Sequence, residues 1–407
     1  MSTSRPARAF DLVLFGATGY TGRLVAERIA HAGEKLTWAL AGRDRIKLEH
    51  VRRELAAQVP ECAELAILVG DAHDSAAMDR IAAQTKVVCT TVGPYAQHGS
   101  ELVAACARAG TDYCDLTGEP PWIRQMIDAH HETAVKSGAR IVHCCGFDSI
   151  PSDLGVHLLQ EEFKRRYGRP AERVTAFFGE MRGQPSGGTI ASMLNIIDEA
   201  ARDPGVRRVV GNPYGLDPDP SHRGPDRDVR GVGYDRAQRV FTAPFVMSAI
   251  NSRVVRRSHA LQGYPWNGFS YREVMSFPRT PRGLALATGI TAGIAGFVVA
   301  TRVPPLRAQL EKRLPAPGQG PSPEERARGY FVVRVAGESG GDRLVVKVSD
   351  RADPGYGSTS KMLAQSALCL ALDSLPTPGG LLTPSTAMGF RLIERLRDAG
   401  LTLEATD

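Results

Sequence analysis

Residues spaced as in a nucleotide-binding turn lie close to the start of the chain. The apolar run Phe10–Phe15 predicts a buried strand, and residues 23–32 carry apolar side chains at helical spacing. The turn between them has a glycine at every third position and consists of Gly16, Ala17, Thr18, Gly19, Tyr20, Thr21 and Gly22. Glycines let the backbone approach a pyrophosphate closely, and a helix N-terminus offers free N–H groups to phosphates. The unit indicates dinucleotide binding, although its G-x-x-G-x-x-G spacing departs from G-x-G-x-x-G and a plain glycine turn is the alternative.

The end of the second predicted strand, residues 36–41, indicates which dinucleotide is bound. NAD-binding folds place an acidic residue about 20 residues after the turn to hold the ribose hydroxyls. Here Gly42 is followed by Arg43, and Lys47 lies one helical turn further on. Because glycine leaves room for a 2′-phosphate and the planar guanidinium can pair with it, the pattern predicts NADPH as the cofactor. The alternative is that Arg43 is a solvated surface charge and Asp44 an ordinary helix cap.

Two further strand ends complete the predicted cofactor site. Asp71 follows the third strand and would lie near the adenine. The fourth strand would bring four residues toward the nicotinamide, namely Thr91, Val92, Gly93 and Pro94. Ligands of doubly wound sheets bind in the crevice outside the carboxyl ends of the strands, so we expect all of these residues at one edge.

A regular alternation of strands and helices over residues 10–150 must position these groups. The predicted strands lie at residues 10–15, 36–41, 65–69, 87–92, 112–116 and 140–144. Continuous apolar runs of this kind are typical of parallel strands that are buried on both faces. The order predicts an α/β fold built on a Rossmann-type doubly wound parallel sheet.

The pattern changes after residue 150. Helices are predicted at residues 152–166, 188–201, 358–374 and 387–399, strands at 173–182, 237–240, 246–255 and 268–275, and a hairpin at 330–348. Residues 203–230 are rich in Pro, Gly, Asp and Arg and predict a long loop. Loops of that length are usually functional or mobile.

Composition excludes several classes of protein. The 407 residues carry a net charge of +6, but the arginines are scattered without interleaved aromatics, so we predict no nucleic-acid partner. A basic balance suits a phosphorylated cofactor or an anionic membrane surface. The cysteines form no CxxC pair, which predicts buried reduced thiols, no metal site and a cytoplasmic location. Residues 1–9 are polar and basic and predict no secretory signal.

Five motifs occur together along the chain. They are FGATGYTG at residues 15–22, AGR at 41–43, VGPY at 92–95, CDLTGE at 114–119 and GFDSIPSD at 146–153. Together with the segment 353–370 they resemble the saccharopine dehydrogenase-like oxidoreductases and, within these, the actinobacterial trans-acting enoyl reductases. The resemblance implies a Rossmann domain at 1–150 completed by 355–407, with a mixed α/β second domain inserted at 151–354.

The same resemblance implies an activity and its partners. Members of the family reduce a carbon–carbon double bond in a polyketide or fatty-acyl thioester of complex lipid biosynthesis. The substrate is implied to be carried on a carrier protein or on a polyketide synthase that lacks its own reductase. A homodimeric assembly is left open.

Enoyl reduction requires particular groups at the site. Hydride transfer to the β-carbon of an unsaturated thioester leaves negative charge on the thioester oxygen, so a hydrogen-bond donor and a proton for the α-carbon are needed. The candidates follow the fourth and sixth strands and are Tyr95, His98, Asp148 and Ser149. Alternatively, Tyr95 is a packing aromatic, His98 a surface residue, Asp148 a turn anchor and Ser149 a helix cap. Glu119 is a further candidate, and ordered water could serve as the acid.

Two other functions stay open at the level of the sequence. A saccharopine-type oxidoreductase would act on an imine or keto substrate with several carboxylates, and it would need clustered arginines, of which no motif stands out. A non-catalytic nucleotide-binding protein on a lipid surface belongs to a different class. Turnover of an enoyl thioester would separate these alternatives.

An uncharged run of 19 residues, 283–301, is about as long as a membrane-spanning helix. It contains Gly289 and Gly293 in a G-x-x-x-G match, but Ala, Gly and Thr dilute its hydrophobicity. A single crossing would also separate the tail from the first domain that it is expected to complete. The alternatives are a crossing helix, a buried core helix, and an exposed apolar helix that contacts a membrane or an acyl chain. The last would give peripheral contact with the inner face of the plasma membrane.

Overall fold

The computed structural model describes residues 8–183, 187–311 and 320–406, which form two compact units. The first unit contains the residues up to Ile150 together with Gly355–Ala399. The second contains the described residues from Pro151 to Pro354, apart from Gly320, together with residues 400–406. Most of the N-terminal segment considered above, residues 1–7, lies outside the described residues.

Strands and helices alternate through the first 150 residues. The elements are β1 (Phe10–Phe15), α1 (Tyr20–Ala30), β2 (Trp38–Gly42), α2 (Arg45–Ala56), β3 (Ala66–Val69), α3 (Ser75–Ala83), β4 (Thr85–Thr90), α4 (Tyr95–His98), α5 (Ser100–Ala109), β5 (Asp112–Cys114), α6 (Pro120–Ser137) and β6 (Arg140–Val142). A short 3₁₀ turn, Pro60–Glu64, precedes β3. All six predicted strands are confirmed, with ends that shift by a few residues.

The rest of the chain mixes helices with longer strands. The elements are α7 (Ile150–Tyr167), β7 (Arg173–Arg182), α8 (Gly187–Arg202), α9 (Pro204–Gly211), β8 (Gly233–Asp235), β9 (Val240–Pro244), α10 (Ser248–Leu261), β10 (Ser270–Pro278), α11 (Pro281–Arg302), α12 (Pro304–Glu311), α13 (Pro323–Ala327), β11 (Tyr330–Ser339), β12 (Asp342–Asp350), α14 (Thr359–Leu372), β13 (Gly380–Leu382), α15 (Pro384–Asp398) and β14 (Thr402–Thr406).

The first unit is built on a parallel sheet of seven strands in the order β13-β6-β5-β4-β1-β2-β3. Helices cover both of its faces: α3, α5 and α6 contact one another in series, while α1 contacts α2 and α14. The central strands are therefore continuously buried, and Leu12, Val13 and Leu14 of β1 have no exposed surface. The strand order reverses between β1 and β4, which confirms the predicted Rossmann-type doubly wound sheet.

The second unit is built on a mixed sheet in the order β14-β12-β11-β7-β10-β9-β8. Only the β7–β10 pair is parallel, and the other pairs are antiparallel. The predicted hairpin is confirmed as β11 and β12, which are joined at Gly340 and Gly341. Both glycines have positive φ, +53° and +94°, and such a tight turn favours residues without a Cβ.

Three sequence-based expectations need correction. The sequence predicts strand-like structure at 246–255, but residues 248–255 lie within α10, whose extensive burial outweighs the local preference of β-branched residues such as Val254 and Val255. The expected loop at 203–230 contains α9, which begins after the Asp203 cap. The tail is divided as well: 355–399 lies in the first unit, whereas β14 pairs with β12 and belongs to the second.

Candidate functional site

The glycine turn after β1 is held in place by contacts that exclude larger residues. Gly16 has a φ of +92°, and a Cβ there would lie 2.6 Å from Val92 Cγ2. A Cβ on Gly22 would lie 2.2 Å from the carbonyl oxygen of Gly16. Gly19 is different, because a Cβ there would meet nothing nearer than 3.5 Å. The first and third glycines are required by the fold, while the second leaves open space beside the N-terminus of α1 for a close-lying ligand.

Thr91 joins the turn to the neighbouring strand end at the point where the sheet order reverses. Its N–H donates to the carbonyl of Phe15 at 3.0 Å, and its hydroxyl donates to the carbonyl of Gly16 at 3.1 Å. Val92 N–H in turn donates to Thr90 Oγ1 at 3.2 Å. Gly93 is exposed, and Pro94 caps α4. The crevice between β1 and β4 is therefore lined by backbone of fixed position.

Gly42 ends β2, one residue later than the sequence predicts, and Arg43 follows it directly. A Cβ on Gly42 would meet only Leu48, at 3.7 Å, so packing does not demand glycine here. Asp44 caps α2 by accepting from the N–H of Lys47 at 3.1 Å, and it lies 3.7 Å from Lys47 Nζ. The Arg43 side chain is exposed, and no carboxylate of the described residues forms an ion pair with it. Asp44 is therefore a helix cap, while Arg43 keeps its charge available for a ligand.

The candidate His98 pairs close to Arg43 with His73, a residue that sequence reasoning missed. His98 Nδ1 lies 2.9 Å from His73 Nε2, and Asp71 Oδ1 accepts from the N–H of His73 at 2.9 Å. Burial, His73 and Arg43 lower the pKa of His98, while Asp71 acts in the opposite direction. The cluster lies toward β3, the half of the sheet where a dinucleotide places its adenosine. His98 is thus part of a cluster with His73 and Asp71.

Tyr95 does not present its hydroxyl to the crevice. The side chain is buried, its hydroxyl donates to the carbonyl of Thr90 at 3.1 Å, and its ring packs 5.7 Å from that of Trp122. Burial raises the pKa of Tyr95 well above its usual value. The predicted role as enolate donor is contradicted, because the hydroxyl is already bonded in the interior; the packing alternative holds.

Glu119 fixes α4 rather than contributing an exposed acid. Its two carboxylate oxygens accept from the backbone N–H groups of Tyr95 and Ala96, each at 2.9 Å, and the side chain is buried. A carboxylate at a helix N-terminus is stabilised by both hydrogen bonds and the helix dipole. The CDLTGE motif therefore positions the segment that carries His98.

A buried carboxylate, Asp115, holds together the ends of β5 and β6. It accepts from the Tyr113 hydroxyl at 2.9 Å, lies 2.7 Å from His143 Nδ1, and accepts from the N–H of Cys144 at 3.1 Å. Cys144 itself has a positive φ of +65°, which is unusual for a residue with a side chain. The network fixes the direction in which the chain leaves β6 toward Asp148.

Asp148 and Ser149 follow β6 but differ in exposure. Asp148 is half-buried, and burial raises the pKa of its carboxyl to about 6. Ser149 is completely buried directly before α7, and its hydroxyl hydrogen-bonds the Cys144 thiol. The structure therefore leaves Asp148 as the candidate acid of this strand end and assigns Ser149 a structural position.

A segment of the tail also reaches this edge of the first unit. The Tyr356 ring packs edge-on against Tyr20 of the glycine turn, with centroids 4.9 Å apart. The hydroxyl oxygen of Thr359 accepts from the N–H of Phe147 at 3.1 Å. Residues 354–358 form a π-helical turn before α14, a feature frequent at functional sites. The segment 353–370, which is part of the family resemblance, was the sequence signal for this contribution.

Comparison with known proteins defines the class of this site. Residues 12–142 match the family described as the saccharopine dehydrogenase NADP binding domain. The apo structure of the saccharopine dehydrogenase (L-Glu forming) from Saccharomyces cerevisiae is similar to this chain, with a TM-score of 0.52 and 15% sequence identity. The alignment covers 97% of this chain and 99% of the yeast chain. That likeness concerns the fold. The protein is an oxidoreductase with a domain for a nicotinamide cofactor.

Relatives that match over the whole length define the family. A Mycobacterium tuberculosis protein with the provisional name trans-acting enoyl reductase is 42% identical over 417 residues, covering 98% of each chain. The trans-acting enoyl reductase of Mycobacterium bovis is 38% identical over 419 residues, again covering 98% of each chain. The chain belongs to the trans-acting enoyl reductase family, as its motifs predicted.

Proposed function

We propose that the protein is an NADPH-dependent reductase of the carbon–carbon double bond in an α,β-unsaturated acyl thioester. The observation that carries this proposal is the similarity, over the full length, to proteins named trans-acting enoyl reductases. The nicotinamide-cofactor domain at residues 12–142 agrees with a reaction that needs a hydride.

The preference for NADPH is supported by the charges at the end of β2. Gly42 leaves space where NAD-binding folds carry an acid, and the exposed Arg43 guanidinium is matched in shape to a phosphate. The nearby pair of His73 and His98 adds donors on the same side. Together they form a cluster for the 2′-phosphate that NADH lacks.

The chemistry divides between the cofactor and the residues of the chain. The nicotinamide, when bound, supplies the hydride for the β-carbon. The open backbone at Gly19 and the N-terminus of α1 would hold the pyrophosphate. We assign Asp148 the delivery of a proton to the α-carbon, because its pKa of about 6 lets the carboxyl release and regain a proton near neutral pH.

The natural substrate is proposed to be presented on a carrier. A trans-acting reductase serves a thioester that is attached to another protein, so an acyl carrier protein or a polyketide synthase is the expected partner. Complex lipid biosynthesis is the corresponding context. Homodimer formation is not required by this proposal.

The proposal is tested by following nicotinamide absorbance with enoyl thioesters on a carrier protein, beside an imine and a keto acid. We expect oxidation of NADPH with the enoyl thioester and a saturated acyl product. Asp148→Asn should lower kcat by about 10²-fold with the dissociation constant of NADPH unchanged. Asp128→Asn, at an exposed ion pair on α6, is the control. Turnover of the imine or keto acid alone, or tight NADPH binding without any turnover, would overturn the proposal.

A further inference from the structure

Helix α11 of the second unit carries an apolar surface that the described protein leaves uncovered. It has 22 residues, or about 33 Å at 1.5 Å per residue, and 11% of its most apolar segment is buried. The side chains of Leu286 and Val299 are 47% and 59% exposed. The alternative of a buried core helix is therefore wrong, since a core helix would have most of this surface covered.

One narrow side of α11 attaches the helix to the second sheet. A Cβ on Gly283 would lie 2.0 Å from the carbonyl oxygen of Pro278, so the start of the helix lies directly against the end of β10. Ala287 and Thr301 are also buried, and α11 contacts β9, β10 and α12. Most of the remaining circumference faces outward, which leaves a rigid apolar rod with one side fixed to the sheet.

The sheet topology excludes a single crossing of a membrane by this helix. β10 precedes α11 and β11 follows it, and both strands pair with β7 in one sheet. The two ends of the helix therefore connect to segments on the same side of any membrane. Within the described ranges, α11 is also the one helix that is long and apolar enough to cross a membrane. The described residues therefore offer no second helix that could bring the chain back across.

Positive charge lies at both ends of the uncovered surface. Arg279 and Arg282 stand at the start of α11, Arg302 stands at its end, and no acidic residue occurs from residue 279 to 310. Arg282 and Arg302 are exposed. An apolar surface between basic ends suits a helix that lies in the plane of an anionic interface, where phosphates pair with the arginines and side chains enter the acyl region.

We propose that α11 docks the protein on an anionic phospholipid surface, with its axis parallel to the membrane. A second copy of the chain fits less well. Two-fold packing of α11 on itself would bring arginines against arginines, because both ends carry the same sign of charge. The proposal is independent of the reductase activity, since it rests on the exposure and charge of α11 in the second unit.

The test is flotation of the full-length protein with vesicles of phosphatidylcholine alone or with about one-third phosphatidylglycerol. We expect flotation with the anionic vesicles, weaker flotation with the neutral ones, and release by salt. The double variant Leu286→Ser/Val299→Ser should bind at least about tenfold more weakly, since each residue loses an apolar side chain that enters the lipid. Ile46→Ser, at an isolated residue of α2 that is 76% exposed, should bind as the unchanged protein does.

A charge variant separates electrostatic docking from general stickiness. Arg282→Glu/Arg302→Glu should abolish the preference for anionic vesicles while the circular dichroism spectrum and NADPH affinity stay unchanged. Absence of flotation with either vesicle would overturn the proposal. So would a lipid-free dimer in sedimentation velocity that dissociates in the Leu286→Ser/Val299→Ser variant, because that result means that two copies cover the surface. Resistance of the bound protein to alkaline carbonate extraction would contradict docking in the plane of the membrane.

Discussion

Arg43 in the first unit and the arginines of α10 in the second differ in exposure and in partners. Arg256 is 3% exposed, its Nε lies 2.6 Å from Asp226 Oδ2, and it donates to the carbonyls of Pro213 and Tyr271 at 3.0 and 2.8 Å. Arg43 is exposed at a strand end. A guanidinium whose donors are used by the chain is structural, whereas one presented at the edge of a doubly wound sheet is available to a ligand.

The α10 arginines also explain how the long segment after α8 is ordered. Arg253 donates to the carbonyl of Val210 at 2.6 Å and pairs with Asp228 at 3.0 Å. Arg257 donates to the carbonyl of Leu216 at 2.7 Å. Three side chains on one helix thus donate hydrogen bonds to backbone carbonyls along this segment. A segment with little regular structure has few hydrogen-bond donors of its own for these carbonyls.

The largest expected effect is a loss of stability on replacing the buried arginine, Arg256. Arg256→Met should lower the free energy of unfolding by about 3–5 kcal/mol, because Asp226 stays buried without its guanidinium. Urea denaturation measures the loss. The matched control is Arg272→Met, whose side chain is half-exposed and pairs with Asp235, with an expected loss of about 1 kcal/mol or less. Equal losses in the two variants would contradict the structural assignment of Arg256.

The next effect concerns the exposed arginine. Arg43→Ala should raise the dissociation constant of NADPH about 10- to 100-fold, since a charge-assisted hydrogen bond to phosphate is worth about 1.5–3 kcal/mol. NADH affinity and the unfolding transition should not change, as fluorescence titration and thermal denaturation will show. Arg45→Ala, at the exposed first residue of α2, serves as control. An equal loss for both cofactors would refute the assignment of Arg43 to the 2′-phosphate.

A smaller effect is expected at the carboxylate that caps α4. Glu119→Gln should reduce the free energy of unfolding by about 1–2 kcal/mol. The two carboxylate oxygens accept from the N–H groups of Tyr95 and Ala96, and an amide would replace one of these acceptors with an NH₂ donor. Thermal denaturation measures the loss, with Glu101→Gln in the first turn of α5 as the comparison. A stability like that of the unchanged protein would mean that Glu119 does not hold this helix.

The smallest effect is a pH dependence that should distinguish the two cofactors. The pKa of His98 is lowered in the free protein by burial, His73 and Arg43, and a bound phosphate would raise it. Binding of NADPH then takes up a fraction of a proton, so its affinity should increase by about threefold in total, for a rise of about half a pKa unit, as pH falls from about 8 to about 6. NADH affinity should be flat. His98→Asn should remove the slope, and a slope that persists in this variant would exclude the histidine pair as its source.

Local features of the sequence predicted the cofactor edge well, and contacts between distant residues account for the errors. The conformations of the turn at Gly16–Gly22 and of the end of β2 depend on residues close by in the sequence, so the local spacing predicts them. The interior position of the Tyr95 hydroxyl depends on Thr90 and on Leu116, twenty-one residues away along the chain. The contact of His73 with His98 joins the loop after β3 to α4 in the same way. Periodicity carries no information about such pairs.

The second unit was harder to predict because its helices are not ordinary amphipathic ones. α10 buries three arginines together with its apolar residues, so its sequence lacks a polar face. α11 has the opposite property, since its apolar residues face outward. Prediction from the local pattern assumes that apolar residues lie in the interior and charged residues on the surface, and both helices depart from that assumption.

The placement of β13 and β14 has a consequence for biosynthesis on the ribosome. β13 forms an edge of the parallel sheet and β14 an edge of the mixed sheet, and both come from residues after 379. The parallel sheet can acquire its last strand only after Leu382 has emerged from the ribosome, and the mixed sheet only after Thr406 has emerged. The nascent chain therefore presents an open edge at β6 for most of its synthesis and a second one at β12 only during the last part of it. These are the strands on which cellular chaperones should act first.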